Sequence, residues 1–319
     1  MKKSCFETRQ KDCVFGRHIL YASLIVCLLV AGCASKEMAV PEMSSEPAVE
    51  LLLTPAETIT SGEPVELSIV GLDANGKQTN AIETIEWTLT GLNGALEGNK
   101  FTPDKSVGAH AGTVTAQSGE LKATARIRVI PPLPWTEDFE KAELEKAPSH
   151  WIAATNKYFV REKGGNKVLV KTPVQRGLDK SNVYIGPPTM KNYQIQVDLM
   201  GTRNKRRLPD MGLIANRYTL DMQGRQQRLQ IRSWASDLRM AKTIDFAWET
   251  DVWYTMKMRV DIVDDIAHVK GKVWTKGEPE PEEWTITVED PLPNREGSPG
   301  IYGYSPAEIY YDNLKVWGD

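Results

Sequence analysis

Past residue 48, apolar residues recur at every second position in short runs, and Gly, Pro, Asn or Asp closes each run. A period of two sends alternate side chains to opposite faces of a strand, while a helix needs a period near 3.6, and no sustained helical period is present. Short alternating runs with turn residues between them predict an all-β chain built from sandwiches. In the first half the runs are "VELSIVGL", "IEWTLTG", "GTVTAQS" and "ATARIRVI", with Asp73-Ala74-Asn75-Gly76 as turn chemistry.

The four cysteines, Cys5, Cys13, Cys27 and Cys33, all precede residue 34. A disulfide framework or a zinc site would distribute them through the folded part instead. Basic residues Lys2, Lys3, Arg9, Lys11 and Arg17 lead into an apolar stretch from residue 19 to 31. That is the order of an export signal, too short for a permanent membrane-crossing helix of about 20 residues. Val30-Ala31-Gly32-Cys33 resembles the lipobox of bacterial lipoproteins. The resemblance implies cleavage before Cys33 and its lipidation, so residues 1–33 are expected to be a signal peptide and the membrane a partner through the acyl chain. The residue after the cysteine is Ala34 rather than Asp, which by the family rule points to the outer membrane of the cell envelope.

Residues 34–48 are rich in Ser, Glu and Pro and read as a flexible tether. The proline-rich stretch at 131–134 marks a second boundary, giving domains at 49–131 and 132–319. Residues 34–132 carry 7 Lys+Arg against 13 Asp+Glu, and residues 133–319 carry 27 against 27, so no global charge argues for nucleic acid.

The order of runs across residues 49–131 resembles the immunoglobulin-like domains of bacterial surface proteins. The resemblance implies a spacer, with Trp87 buried in the central strand. In the second domain, "EDFE" at 137–140, "GLIANRYTLDMQGRQQRLQIRSW", "TDVWYTMKMRV" and "IYYDNLKV" at 309–316 resemble the concanavalin A-like, laminin G-like jelly rolls. In such folds the first and last strands pair. "GLIANRYTLDM", "VKGKVWTKGEPEPEEW" and "EGSPGIYGYSPAEIYYDNLKV" also look like a domain appended to quinoprotein-type β-propellers. The propeller itself is missing, so quinone chemistry is not carried over.

Parity in three runs supplies a candidate binding face. In "QRLQIRSW", Arg228, Gln230, Arg232 and Trp234 oppose Leu229 and Ile231; in "VWYTMKMRVDI", Trp253, Lys257 and Arg259 oppose Tyr254, Met256, Met258 and Val260. In "IAHVKGKVW", His268, Lys270, Lys272 and Trp274 oppose Ala267, Val269 and Val273. A cationic face displaying indoles can stack on the apolar faces of sugars and donate hydrogen bonds to their hydroxyls. The bland alternative is that each indole covers an edge of its own sandwich under Lys and Arg stems.

Catalytic motifs are scarce. Only His110, His150 and His268 follow the leader, "EGSPG" lacks the nucleophile-elbow spacing, and the Glu-x-Asp-x-x-Glu signature of jelly-roll glucanases is absent. Asp198, Asp221 and Asp261 remain as acids on polar strand faces. "GEPEPEEW" at 277–284 reads as a solvated acidic loop able to attract a cation, and 203–242, with 10 Lys+Arg against 3 Asp+Glu, as a hydrated basic loop or else a contact for anionic polysaccharide, lipid headgroups or a partner. If the domain's ends pair, Glu140, Asp312 and Asn313 would offer oxygens to a structural calcium, the one cofactor considered. The resulting expectation is a noncatalytic binder of polysaccharide or of an envelope protein. A glycoside hydrolase-like enzyme and a structural envelope protein are the alternatives.

Overall fold

The computed structural model describes residues 43–55, 57–173 and 180–318. The leader, Cys33 and the tether up to residue 42 lie outside the described residues. Among those described there is no helix, as the period-two pattern requires.

Residues 50–130 contain β1 (Glu50–Thr54), β2 (Thr58–Thr60), β3 (Val65–Glu66), β4 (Ser68–Leu72), β5 (Gln78–Thr79), β6 (Glu86–Thr90), β7 (Gly94–Glu97), β8 (Lys100–Pro103), β9 (His110–Ser118) and β10 (Leu121–Ile130). They form sheets ordered β1-β4-β5, β2-β10-β9-β6 and β3-β8-β7 around Leu67, Phe101, Val114 and Ile127. The run "VELSIVGL" is split at buried Leu67, which sends β3 and β4 to different sheets. The 73–76 turn forms as read: Gly76 N–H donates to the Asp73 carbonyl at 2.9 Å, and Asp73 Oδ1 accepts from Asn75 and Lys77 N–H at 2.8 and 2.9 Å. Two expectations are corrected. Trp87 lies on β6, an edge strand, and is only partly buried, because β9 covers just one of its sides. The stretch read as tether is already docked by residue 44: Ser44 N–H donates to Gln78 O at 2.7 Å, and Thr79 Oγ1 donates to Glu46 O at 2.8 Å.

The strands from residue 135 onward form a larger jelly-roll sandwich of β11 (Trp135–Glu137), β12 (Tyr158–Lys163), β13 (Asn166–Lys171), β14 (Lys180–Tyr184), β15 (Tyr193–Gly201), β16 (Asp210–Ala215), β17 (Tyr218–Gln223), β18 (Arg228–Trp234), β19 (Leu238–Asp245), β20 (Tyr254–Val263), β21 (Ile266–Thr275), β22 (Ile286–Asp290), β23 (Gly300–Tyr304) and β24 (Ile309–Gly318). One sheet runs β12-β13-β24-β15-β20-β21-β22, with β11 also on β24; the other runs β14-β23-β16-β17-β18-β19. The ends do pair, Trp135 opposite Val316. Leu229 and Ile231 from one sheet and Met256, Met258 and Val269 from the other meet in a single core, each fully buried. The parity read from all three runs is therefore correct strand by strand.

Candidate functional site

The pairing register arranges the outward residues of the six-stranded sheet in rows. One row reads Lys180, Tyr304, Asp210, Gln223, Arg228 and Asp245; the next reads Asn182, Tyr302, Gly212, Asp221, Gln230 and Thr243. A third contains Thr219 and Arg232, beyond which Trp234 pairs with Leu238. Between Tyr302 and Asp221, Gly212 adds no side chain to the floor. A Cβ there would stand 1.9 Å from the Leu220 carbonyl oxygen. Over these rows lies an open groove of about 560 Å³, lined by Lys157, Lys180, Asn182, Asp210, Asp221, Gln230, Arg232, Trp234, Leu238 and Tyr302 among others.

The floor is polar and cross-linked. Asp221, fully buried, is ion-paired with Arg232, whose guanidinium sits 4.7 Å from the centre of the Tyr302 ring. Gln230 Oε1 accepts from Gln223 Nε2 at 3.1 Å, and Gln230 Nε2 donates to Thr243 Oγ1 at 2.8 Å. Burial lifts the Asp221 carboxyl above its usual range against the pull of Arg232, and its Oδ2 has no partner among the described residues. Asp210 Oδ1 accepts from Gly224 N–H at 2.8 Å. Burial raises the Asp210 pKa, the Gly224 N–H opposes and Asp221 adds to the rise, leaving it at about 6. At the rim Trp234 is 58% exposed and Leu238 46%. An open indole beside amides, a guanidinium and carboxylates can stack on an apolar ring face while the floor exchanges hydrogen bonds with hydroxyls.

Of the predicted set, Gln230, Arg232 and Trp234 line this groove and Arg228 stands in one of its rows. The other seven do not join them. The outward residues of β20 and β21, namely Lys257, Arg259, His268, Lys270, Lys272 and Trp274, belong to the eight-stranded sheet on the far side of the core, and Trp253 immediately precedes β20. Parity assigns a face within one strand but says nothing about which sheet the strand enters, so the expected single face divides in two. On the far side the bland reading holds. Glu280 bridges Lys257 (3.1 Å) and Lys272 (3.0 Å), and these lysines lie 6.0 and 4.9 Å from the Trp284 ring centre. Lys257 is also 5.2 Å from the Trp317 ring, while Lys276 lies 5.2 Å from Trp253. Arg259 and Lys270 share Asp261, at 2.6 and 3.2 Å, and His268 Nδ1 is 3.4 Å from Glu289. Trp274 is partly buried opposite Thr255.

The acidic 277–284 segment is solvated as read, six of its eight residues being exposed, and lysines supply its counter-charge. Lys272 Nζ donates to the Pro281 and Glu282 carbonyls, at 2.5 and 3.1 Å, as well as to Glu280, folding the segment over the sheet. The calcium set, by contrast, does not converge on an ion. Glu140 Oε1 accepts from Lys167 N–H at 2.9 Å; Asp312 accepts from Asn166 Nδ2 at 2.9 Å, and Asn313 Nδ2 donates to Asp198 at 2.9 Å. Lys276 Nζ stands 2.8 Å from Asp198 and 3.9 Å from Asp312, supplying the positive charge between these carboxylates. Among the described residues no group of three or more His, Cys, Asp or Glu gathers as an ion site.

Sequence reasoning missed Asp210, Lys180, Lys157, Tyr302 and Leu238. Alternation in "DMGLIA" and "YTLDMQ" already puts Asp210 and Asp221 on outward positions, but their adjacency depends on the β16–β17 register.

No family model and no curated protein matches the chain. Among solved structures, the chain is similar to a Crh5 transglycosylase (11% identity, TM-score 0.39, 59% of this chain and 85% of that one). It is also similar to the winged bean acidic lectin complexed with methyl-α-D-galactose (9%, 0.38, 57% and 97%). A third is a GH131 β-glucanase catalytic domain from Podospora anserina (10%, 0.33, 57% and 86%). At these identities and TM-scores the likenesses carry no functional assignment, which must come from the groove.

Proposed function

We propose that this is a cell-envelope lipoprotein, anchored through Cys33 at the outer membrane, whose C-terminal jelly roll binds polysaccharide noncatalytically in the groove of its six-stranded sheet. The observation that supports this reading is Trp234, an indole 58% exposed beside a floor of cross-bonded polar side chains. An exposed indole at the rim of a polar groove offers a flat apolar surface on which a sugar ring can stack while the floor meets its hydroxyls. The first domain and the tether would hold the groove away from the membrane. Multiple anchored copies would add avidity to weak single sites.

The test is polysaccharide retention by the full chain in affinity electrophoresis. Trp234→Ala should weaken retention about tenfold or more, the loss of one aromatic anchor. Trp274→Ala, on the other side of the sandwich, should change nothing. Equal retention by wild type and Trp234→Ala would reject the groove. For the anchor, fatty-acid labelling should disappear in Cys33→Ser.

A second reading, glycoside hydrolysis, is favoured by one observation. Asp210 and Asp221 are diagonal neighbours on paired strands, so two carboxyl groups share the groove floor, the minimum that glycoside hydrolysis requires. Asp210, with a pKa of about 6, would be the proton donor. The tight Asp221–Arg232 pair argues for the binding role first. Release of reducing sugar by wild type and its loss in Asp210→Asn would reverse that order.

A further inference from the structure

The two faces of the jelly roll treat their cations differently. On the eight-stranded sheet, Lys257, Lys270, Lys272 and Lys276 each lie within 3.2 Å of a carboxylate. In the groove, Lys157 and Lys180 make no direct ion pair with a described residue, though Lys180 acts through space on Asp210 and Asp221 and lies 6.0 Å from the Tyr304 ring centre. At the end of the groove the β15–β16 turn carries Arg203, Lys205, Arg206 and Arg207, all exposed and likewise without a described ion-pair partner. Beside it runs the β17–β18 turn: a Cβ on Gly224 would stand 2.3 Å from the Pro209 carbonyl oxygen and 2.5 Å from Leu208 Cβ. That second turn adds exposed Arg225 and also Gln226, which lines the groove. Asp245, Glu249 and Asp251 share this end, and Asp245 lies 4.0 Å from Arg228, so the balance there remains positive.

In a domain with as many acids as bases, a surplus of cations gathered at one end of the groove costs self-repulsion unless an anion completes it. We infer that the groove takes an anionic polysaccharide, its acidic groups meeting Lys180, Lys157 and the cationic turns while a sugar ring stacks on Trp234. This rests on the groove reading above and narrows it to a ligand class. Trp234 stands four strand spacings, about 19 Å, across the sheet from Lys180 and six residues, about 20 Å, along β18 from the Arg228 of that row, a span that suits several linked sugars rather than one. The anionic group could be a uronate carboxylate or a sulfate ester; both offer oxygens to ammonium and guanidinium groups.

The experiment compares the full chain's affinity for a polyuronate, dextran sulfate and neutral dextran at low and raised salt. Wild type should bind the polyuronate or dextran sulfate more tightly than dextran, and salt should weaken that binding. The variant Arg203→Glu, Arg206→Glu, Arg207→Glu, altered only at exposed positions, should keep its melting temperature and lose about tenfold or more in affinity for the acidic polymer. Lys180→Gln should lose a smaller factor. Preference for the polyuronate over dextran sulfate would narrow the ligand to carboxylates, and the reverse to sulfates. Equal binding of neutral and acidic polymers, or an unchanged affinity in the triple variant, would overturn the inference while leaving the groove reading intact. If Trp234→Ala has no effect while the triple variant does, the groove reading fails and the turns are a plain polyelectrolyte contact.

Discussion

Asp210 is the residue whose protonation the groove most clearly controls. Its folded pKa of about 6 is raised from 3.8, so between those values the folded chain holds a proton that the unfolded chain has released. Stability from this group is therefore greatest at low pH and falls as pH rises to about 6, after which it is level. Melting curves of wild type and Asp210→Asn should diverge across that window, with the variant the more stable at pH 7. A constant difference would mean that Asp210 is solvated like an ordinary carboxylate. His150 titrates in the opposite sense. Buried beside Trp151, it has its pKa lowered to about 4, so it favours the folded state less as pH falls below 6.5. The single-residue comparison is what separates the two effects.

At the level of elements, β16 and the 277–284 segment make opposite demands. Gly212 lets β16 approach β17, and a larger side chain would meet the Leu220 carbonyl and Asp221 Cα, at 1.9 and 2.8 Å from a Cβ. Gly212→Val is expected to cost ~1–3 kcal/mol by overpacking and to weaken polysaccharide binding along with it, read from urea melts and retention together. The acidic segment depends on charge instead. Lys272 and Lys257 outweigh burial and hold the Glu280 carboxyl below its usual range. A depressed acid stabilises above its unfolded pKa of 4.5, and that contribution is lost as pH drops through the folded value. Hydrogen-exchange protection factors in residues 277–284, referred to the intrinsic rate at each pH, should fall at low pH, and Glu280→Gln should produce the same fall at pH 7. Retention of polysaccharide should be untouched by that change, since the segment covers the opposite face.

Across the whole molecule, a buried network ties the two sheets of the jelly roll. Arg239 of β19 donates to both carboxylate oxygens of Asp290 at the end of β22, at 2.8 and 2.5 Å, and Tyr218 Oη donates to the same carboxylate at 2.6 Å. Asn294 completes it, donating from its backbone N–H to Tyr218 Oη and from Nδ2 to Ser233 Oγ, both at 3.0 Å. Arg239→Met leaves the Asp290 charge buried and should lower the stability of the jelly roll by about 3 kcal/mol, seen as an earlier urea midpoint. Much of the architecture was legible without coordinates, because it rests on local rules. Alternation assigned Leu229, Met258 and Val269 to the core and Trp234 and Lys270 to the outside, turn residues marked the ends of strands, and the first and last strands paired as expected. The site was legible only in part, because sheet order and register join residues distant in the chain. Lys180, Asp210, Arg232 and Tyr302 meet across four strands, while Trp274, alike in local pattern to Trp234, ended on the other side of the core. A period of two carries the direction of each side chain relative to its own strand; which strand lies alongside is decided by how two sheets bury their apolar faces together.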